Sequence, residues 1–137
     1  MLNRFLGLIM AVMLCVSCGK EDFLPDIPVN FSAPLTDPRL NRISIAGGSV
    51  VIDGYGIAGL IICRRADNSY VAFDRCSTVN PQEKNAVIIE TGGLTALDEK
   101  TGAKFSLIDG GPAKAPAERS LKQYSVTISG YTLRVTN

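Results

Sequence analysis

From Arg42 to the end of the chain, short runs of β-branched and aromatic residues follow one another at 49–53, 57–65, 70–75, 86–90, 94–97, 104–108, 124–129 and 131–135. Between them stand Gly47-Gly48, Gly54, Asp67-Asn68-Ser69, Gly92-Gly93, Gly102, Gly110-Gly111 and Gly130. Glycine and Asn/Asp supply the backbone conformations that tight turns need. Strand-length runs this closely spaced predict an all-β antiparallel sandwich or barrel. Of the 137 residues, the part outside an unusual N-terminus leaves about a hundred, enough for one modest core and one folded unit.

The sequence contains no histidine. Histidine is the usual general base near neutral pH and the commonest metal ligand, so its absence removes most hydrolase triads and His-ligated zinc sites together. Charge is balanced, with 14 Lys+Arg against 13 Asp+Glu. Like charges do not accumulate in runs, which gives no basis for nucleic-acid binding or for electrostatic attachment to a membrane.

Residues 1–17 carry Arg4 and then an unbroken apolar stretch from Phe5 to Val16. That stretch is shorter than the roughly 20 residues a bilayer core requires and reads as an export signal. The segment Leu14-Cys15-Val16-Ser17-Cys18 resembles a bacterial lipobox, in which a cysteine after a small residue is lipidated and becomes the new N-terminus. Cys18 is the expected lipidation site, and Cys15, preceded by the bulky Leu14, is a poorer one. An ordinary secretory signal cut nearby is the plainer alternative. Gly19-Lys20-Glu21-Asp22 resembles the acidic export tag of surface-displayed Bacteroidetes lipoproteins, and serves equally well as a solvated spacer. Pro25, Pro28, Pro34 and Pro38 predict an extended, polyproline-like tether over 18–38, with room for its later part to lie against the domain, which joins the anchor to a β domain over 39–137. The expected location is the outer membrane, lipid-anchored, with surface display if the tag is genuine.

Gly54-Tyr55-Gly56-Ile57-Ala58-Gly59 follows a strand-like run and precedes Asp74 by about 20 residues, the spacing of a dinucleotide fingerprint. That chemistry needs a helix to begin inside the glycines. Here a second strand-like run, a turn and Tyr70 follow at once, which predicts a turn and no nucleotide.

Phe73-Asp74 end a strand, Ser77 and Val79 follow, and then Asn80-Pro81; further on come Asp98 and Thr101, then Gly102, Ala103 and Phe105. This pattern resembles the two loops of a Rieske iron-sulfur domain, Cys-X-His after Phe-Asp and Cys-X-X-His before Gly-Ser-X-Phe. Asp109-Gly110-Gly111, Ala115-Pro116-Ala117 and Leu121-Lys122-Gln123-Tyr124 are similar to the stretches that follow in that family. The resemblance covers about Val50 to Asn137. Pro28-Val29-Asn30-Phe31 more narrowly resembles the entry of Rieske-like Bacteroidetes lipoproteins. The resemblance implies a Rieske-like β domain with two loops at one tip, where Ser77, Val79, Asp98 and Thr101 occupy vestigial cluster-ligand positions.

A two-iron cluster needs four thiolate or imidazole donors. After Cys18 the chain offers only Cys63 and Cys76, so no cofactor and no metal are expected. A disulfide between the two is also disfavoured. A hairpin turning at residues 66–69 would place Cys63 near Ala72 and Cys76 near Gly59, about 13 Å apart along the strands. Cys63 reads as a packed apolar residue, and Cys76, beside the first loop, as packing or a reactive thiol. Residues 98–102 read most simply as a hairpin turn, and Tyr55, Tyr70, Tyr124 and Tyr131 as strand aromatics.

The expected function is that of a non-enzymatic, cluster-less lipoprotein domain serving as a binding or structural component, with the membrane and an unidentified protein as partners. One alternative is a Rieske-type 2Fe-2S electron carrier. Another is a carboxylate hydrolase using Asp74 with Asp98 or Glu99 at the loop tip.

Overall fold

The computed structural model describes residues 24–137. The expected signal peptide and the Cys18 lipidation site lie outside the described residues. In chain order the strands are β1 (Asn30–Pro34), β2 (Ser49–Ile52), β3 (Leu60–Arg64), β4 (Tyr70–Asp74), β5 (Ile88–Ile89), β6 (Thr95–Leu97), β7 (Lys104–Ser106), β8 (Pro112–Lys114), β9 (Gln123–Ser129) and β10 (Thr132–Thr136). Short 3-10 helices occupy Pro38–Ser44 and Pro81–Glu83.

Six strands form one antiparallel sheet in the order β1-β10-β9-β4-β3-β2, and the other four form a second, β5-β6-β7-β8. The second sheet is an excursion of the chain between β4 and β9, which themselves pair at Ala72–Tyr124 and Phe73–Gln123. The fold is all-β and antiparallel, as the spacing of strands and turns predicts.

The continuous apolar runs of β3 and β4 need cover on both faces, since neighbouring side chains in a strand point opposite ways. Leu60, Ile62 and Ala72 enter a core with Phe31, Leu40, Ile43, Leu133 and Val135. Ile61, Cys63, Val71 and Phe73 enter another, beneath the second sheet, with Val87, Ala96 and Phe105. Phe31, Phe73 and Phe105 are fully buried, and burying such side chains contributes about 1.5–3 kcal/mol each.

Two departures from expectation concern this frame. The later part of the tether expected over 18–38 does more than lie against the domain: residues 30–34 form edge strand β1, paired along its length with β10. The alternation of Phe31 and Ala33, both buried, with exposed Asn30, Ser32 and Pro34 supplies a core-facing side. Pro34 is tolerated because an edge strand need not use every N–H. The β3–β4 hairpin is also one residue tighter than expected, with Arg64 opposite Tyr70 and Cys63 opposite Val71. Asn68 adopts the left-handed conformation at φ 66°, which closes a three-residue loop.

Candidate functional site

Two loops meet at one end of the second sheet. The first leaves β4 at Asp74 and returns through an isolated bridge between Cys76 and Ala86. Its turn uses left-handed Asn80 and Lys84, with the 3-10 turn Pro81–Glu83 between them. The Ser77 N–H donates to Asn85 O at 2.8 Å, and the Val79 N–H donates to Ser77 Oγ at 3.2 Å. Thr78 Oγ1 donates to Arg119 O at 2.8 Å, which ties the loop to the chain entering β9. The second loop is the β6–β7 turn. Asp98 N–H donates to Ala103 O, and Gly102 N–H donates back to Asp98 O, both at 2.8 Å.

Asp98 joins the loops. It is 1% exposed, and its Oδ1 accepts from the Lys100 N–H at 3.0 Å. Burial by itself would raise its pKa, but the Ser77, Thr101 and Asn85 side chains and the Lys100 amide together hold the carboxyl below its ordinary value. Oδ2 nevertheless has no hydrogen bond of good geometry, and neither does the neighbouring Asn85 Oδ1. Ser77, Asp98 and Thr101 are thus brought together, and Val79 is fixed beside them through the Ser77 hydroxyl.

Asp74 occupies a separate position beneath the loop that carries the glycine fingerprint. It is fully buried. Oδ1 accepts from the Cys76 N–H at 2.8 Å and the Ala58 N–H at 3.1 Å; Oδ2 accepts from the Ile57 N–H and the Tyr124 hydroxyl, both at 2.7 Å. Converging backbone amides make an anion-binding concavity, and this one is filled by the chain's own carboxylate. Gly56 permits it: at φ +64°, a Cβ there would lie 2.3 Å from Asp74 Oδ2. With four donors on its oxygens and no exposure, Asp74 is poorly placed for acid–base work with Asp98 or the exposed Glu99. Tyr124 is more than a strand aromatic, since its hydroxyl completes this network. Nothing in the sequence announced that bond, which spans fifty positions.

Both Cys63 and Cys76 are free thiols and buried. Burial, with help from the Asp74 carboxylate, pushes Cys76 up to about 11, against the opposing pull of Lys84. Burial likewise raises Cys63, partly offset by the Ser49 hydroxyl. With Cys63 opposite Val71, Cys76 lies five residues further along, about 16 Å at 3.3 Å per residue, beyond the reach of a disulfide.

The donor set at the tip does not fit a two-iron cluster. A two-iron cluster requires four thiolate or imidazole donors, whereas Ser77, Val79, Asp98 and Thr101, to which the resemblance assigns the ligand positions, offer two hydroxyls, an isopropyl group and one carboxylate. Among the described residues, no group of three or more His, Cys, Asp or Glu is arranged to hold a metal ion.

Two stacked antiparallel sheets with paired loops at one end have counterparts among solved structures. The plasma-membrane Rieske protein of Synechocystis PCC 6803 superposes with a TM-score of 0.58 at 17% identity, over 82% of this chain and 100% of its own. The fold is Rieske-like. The ferredoxin of carbazole 1,9a-dioxygenase from Nocardioides aromaticivorans IC177 matches it at 0.51 and 17% identity, over 80% of this chain and 97% of its own. A chain of the complex of reduced oxygenase and oxidized ferredoxin in carbazole 1,9a-dioxygenase matches at 0.54 and 16% identity, over 79% and 93%. No protein-family model matches the sequence, and no curated protein does. At these identities the likeness establishes the Rieske-like fold and nothing finer.

Proposed function

We propose that this chain is an exported lipoprotein, anchored at the outer membrane through Cys18, whose Rieske-like domain holds no iron-sulfur cluster and serves as a non-enzymatic binding or structural component. The observation that carries the reading is the chemistry of the tip. Ser77, Val79, Asp98 and Thr101 hold the positions that the family resemblance assigns to cluster ligands. Three of them form a polar cluster around the Asp98 carboxylate. The lipobox-like sequence around Cys18 supports the lipid anchor; each buried CH₂ contributes about 0.8 kcal/mol, so several acyl chains would hold a protein at a membrane durably.

The second reading, a 2Fe-2S electron carrier, draws on the likeness to Rieske proteins and ferredoxins. Purification from the membranes of producing cells separates the two. The proposal expects a folded, colourless, iron-free protein whose N-terminal peptide carries lipid, and release of the Cys18→Ala variant from the membrane fraction. A coloured protein containing iron would establish the carrier instead, and a Cys18→Ala variant that stays with the membrane would remove the anchor.

A further inference from the structure

The β6–β7 hairpin has two ends. One is the tip at residues 98–101. At the other, Leu94 before β6 and Leu107-Ile108 after β7 stand against the end of β3, and here a cavity of about 360 Å³ opens between the sheets. Its lining includes Ser49, Cys63, Leu94, Leu107 and Ile108, together with Arg64 at the end of β3 and residues 65–67 that follow it. A volume of a few hundred Å³ with mostly apolar walls is the usual form of a small-molecule site.

Arg64 also lines the cavity, its Nη1 donating to Ser44 O and its buried Nε without a hydrogen-bond partner; the other polar groups fall into two sets. On the lining, the Ser49 hydroxyl donates to Cys63 Sγ at 3.3 Å, so the pair is already engaged. At the mouth, Arg65 Nε donates to Ile108 O at 2.7 Å. That bond holds the guanidinium at the opening by its Nε; its two terminal nitrogens make no hydrogen bond among the described residues, although the guanidinium lies near enough to the Asp67 carboxylate to help hold its pKa down. Asp67 also lines the mouth, but its Oδ1 accepts from the Ser69 N–H at 2.9 Å and the Ser69 hydroxyl at 2.6 Å. Leu94 and Ile108 remain 63% and 59% exposed, large apolar surfaces that favour cover by something apolar.

We propose that this pocket binds a free medium-chain carboxylic acid, its hydrocarbon between Leu94, Leu107 and Ile108 and its carboxylate on the terminal nitrogens of Arg65. A planar guanidinium held by one nitrogen still offers the fork that matches a carboxylate. At about 360 Å³ the cavity lies at the small end of the range for small-molecule sites, a size suited to a medium-length hydrocarbon. The site shares no residue with the tip, so its failure would leave the proposal for the tip untouched.

The test is an NMR titration of the complete chain with decanoate, with decanol as the uncharged control. Saturable shifts at the Cys63, Leu94 and Ile108 amides are expected, with decanol binding about tenfold more weakly. Arg65→Gln is expected to lower decanoate affinity about tenfold while leaving decanol binding unchanged, and Arg65→Lys to fall between. An unperturbed Tyr124 amide in each variant reports an intact fold. Absence of saturable shifts below the micelle threshold, equal affinity for decanol, indifference to Arg65→Gln, or shifts confined to other residues would overturn the proposal. So would sedimentation as a dimer that Leu94→Ser dissolves, since the apolar rim would then be covered by a second copy.

Discussion

The Tyr124 hydroxyl donates to Asp74 Oδ2 at 2.7 Å, joining β9 to the end of β4 beneath the loop that bears Gly56. Hydrogen bonds to charged groups contribute about 1.5–3 kcal/mol, and a buried carboxylate that loses a donor pays its desolvation again. Tyr124→Phe is therefore expected to lower unfolding free energy by about 1.5–3 kcal/mol, read as a lower urea midpoint at unchanged slope. A midpoint equal to that of the parent protein would show the bond to be incidental.

The same carboxylate fixes the space above it. Gly56→Ala would set a Cβ 2.3 Å from Asp74 Oδ2 and 2.9 Å from the Tyr124 hydroxyl. Gly130→Ala makes a control, because its φ is also positive, +59°, yet no atom lies within 4 Å of the new Cβ. The control isolates backbone strain, about 1–2 kcal/mol. Gly56→Ala should cost clearly more, and equal losses in thermal melts would mean that the loop moves aside without penalty.

Asp98 sets an acid dependence with a definite sign. Its folded-state pKa is lowered, so the folded form binds this proton less readily than the unfolded chain does. The contribution is complete above the unfolded carboxyl value of about 3.9 and is lost as pH falls below it, through the depressed folded value. Asp98→Asn should flatten the loss of stability between pH 5 and pH 2 in denaturant titrations, where the parent falls more steeply; each pH here is approximate. An identical acid slope in both proteins would contradict the loop-joining role of this carboxylate.

The thiols should be quiet. A Cys76 raised to about 11 is almost wholly protonated at neutral pH, and only the thiolate is nucleophilic. Iodoacetamide should leave Cys63 and Cys76 unmodified in the folded protein and alkylate both after denaturation, as read by peptide mass spectrometry. Rapid native labelling at Cys76 would reveal an accessible, activated thiol.

Much of this architecture was legible because β-strands leave local marks. The runs at 60–64 and 70–74, the turn chemistry at Asp67-Asn68-Ser69 and the Gly130 hairpin lie within a few residues of their partners. The order of residues around both loops carried the Rieske-like pattern as well. Features that depend on distant partners were harder to see. Residues 30–34 are a strand because β10, about a hundred positions away, offers them an edge, while the prolines around them suggest an extended tether. Asp74 lies at the spacing of a nucleotide-binding acid, and only its burial beneath Ile57 and Ala58 shows that it holds its own loop. The hairpin slipped by one residue because Asn68 accepts a positive φ, a choice its sequence permits without requiring.

The central claim is that the tip of this Rieske-like domain lacks the donors for a cluster. Anaerobic incubation of the purified chain with ferrous iron and sulfide, then desalting, dithionite reduction and low-temperature electron paramagnetic resonance, tests it most directly. The account expects no stoichiometric iron or acid-labile sulfide and no signal from a reduced two-iron centre, in protein whose melting curve is unchanged. About two irons per chain with that signal, lost on Asp98→Ala, would contradict it.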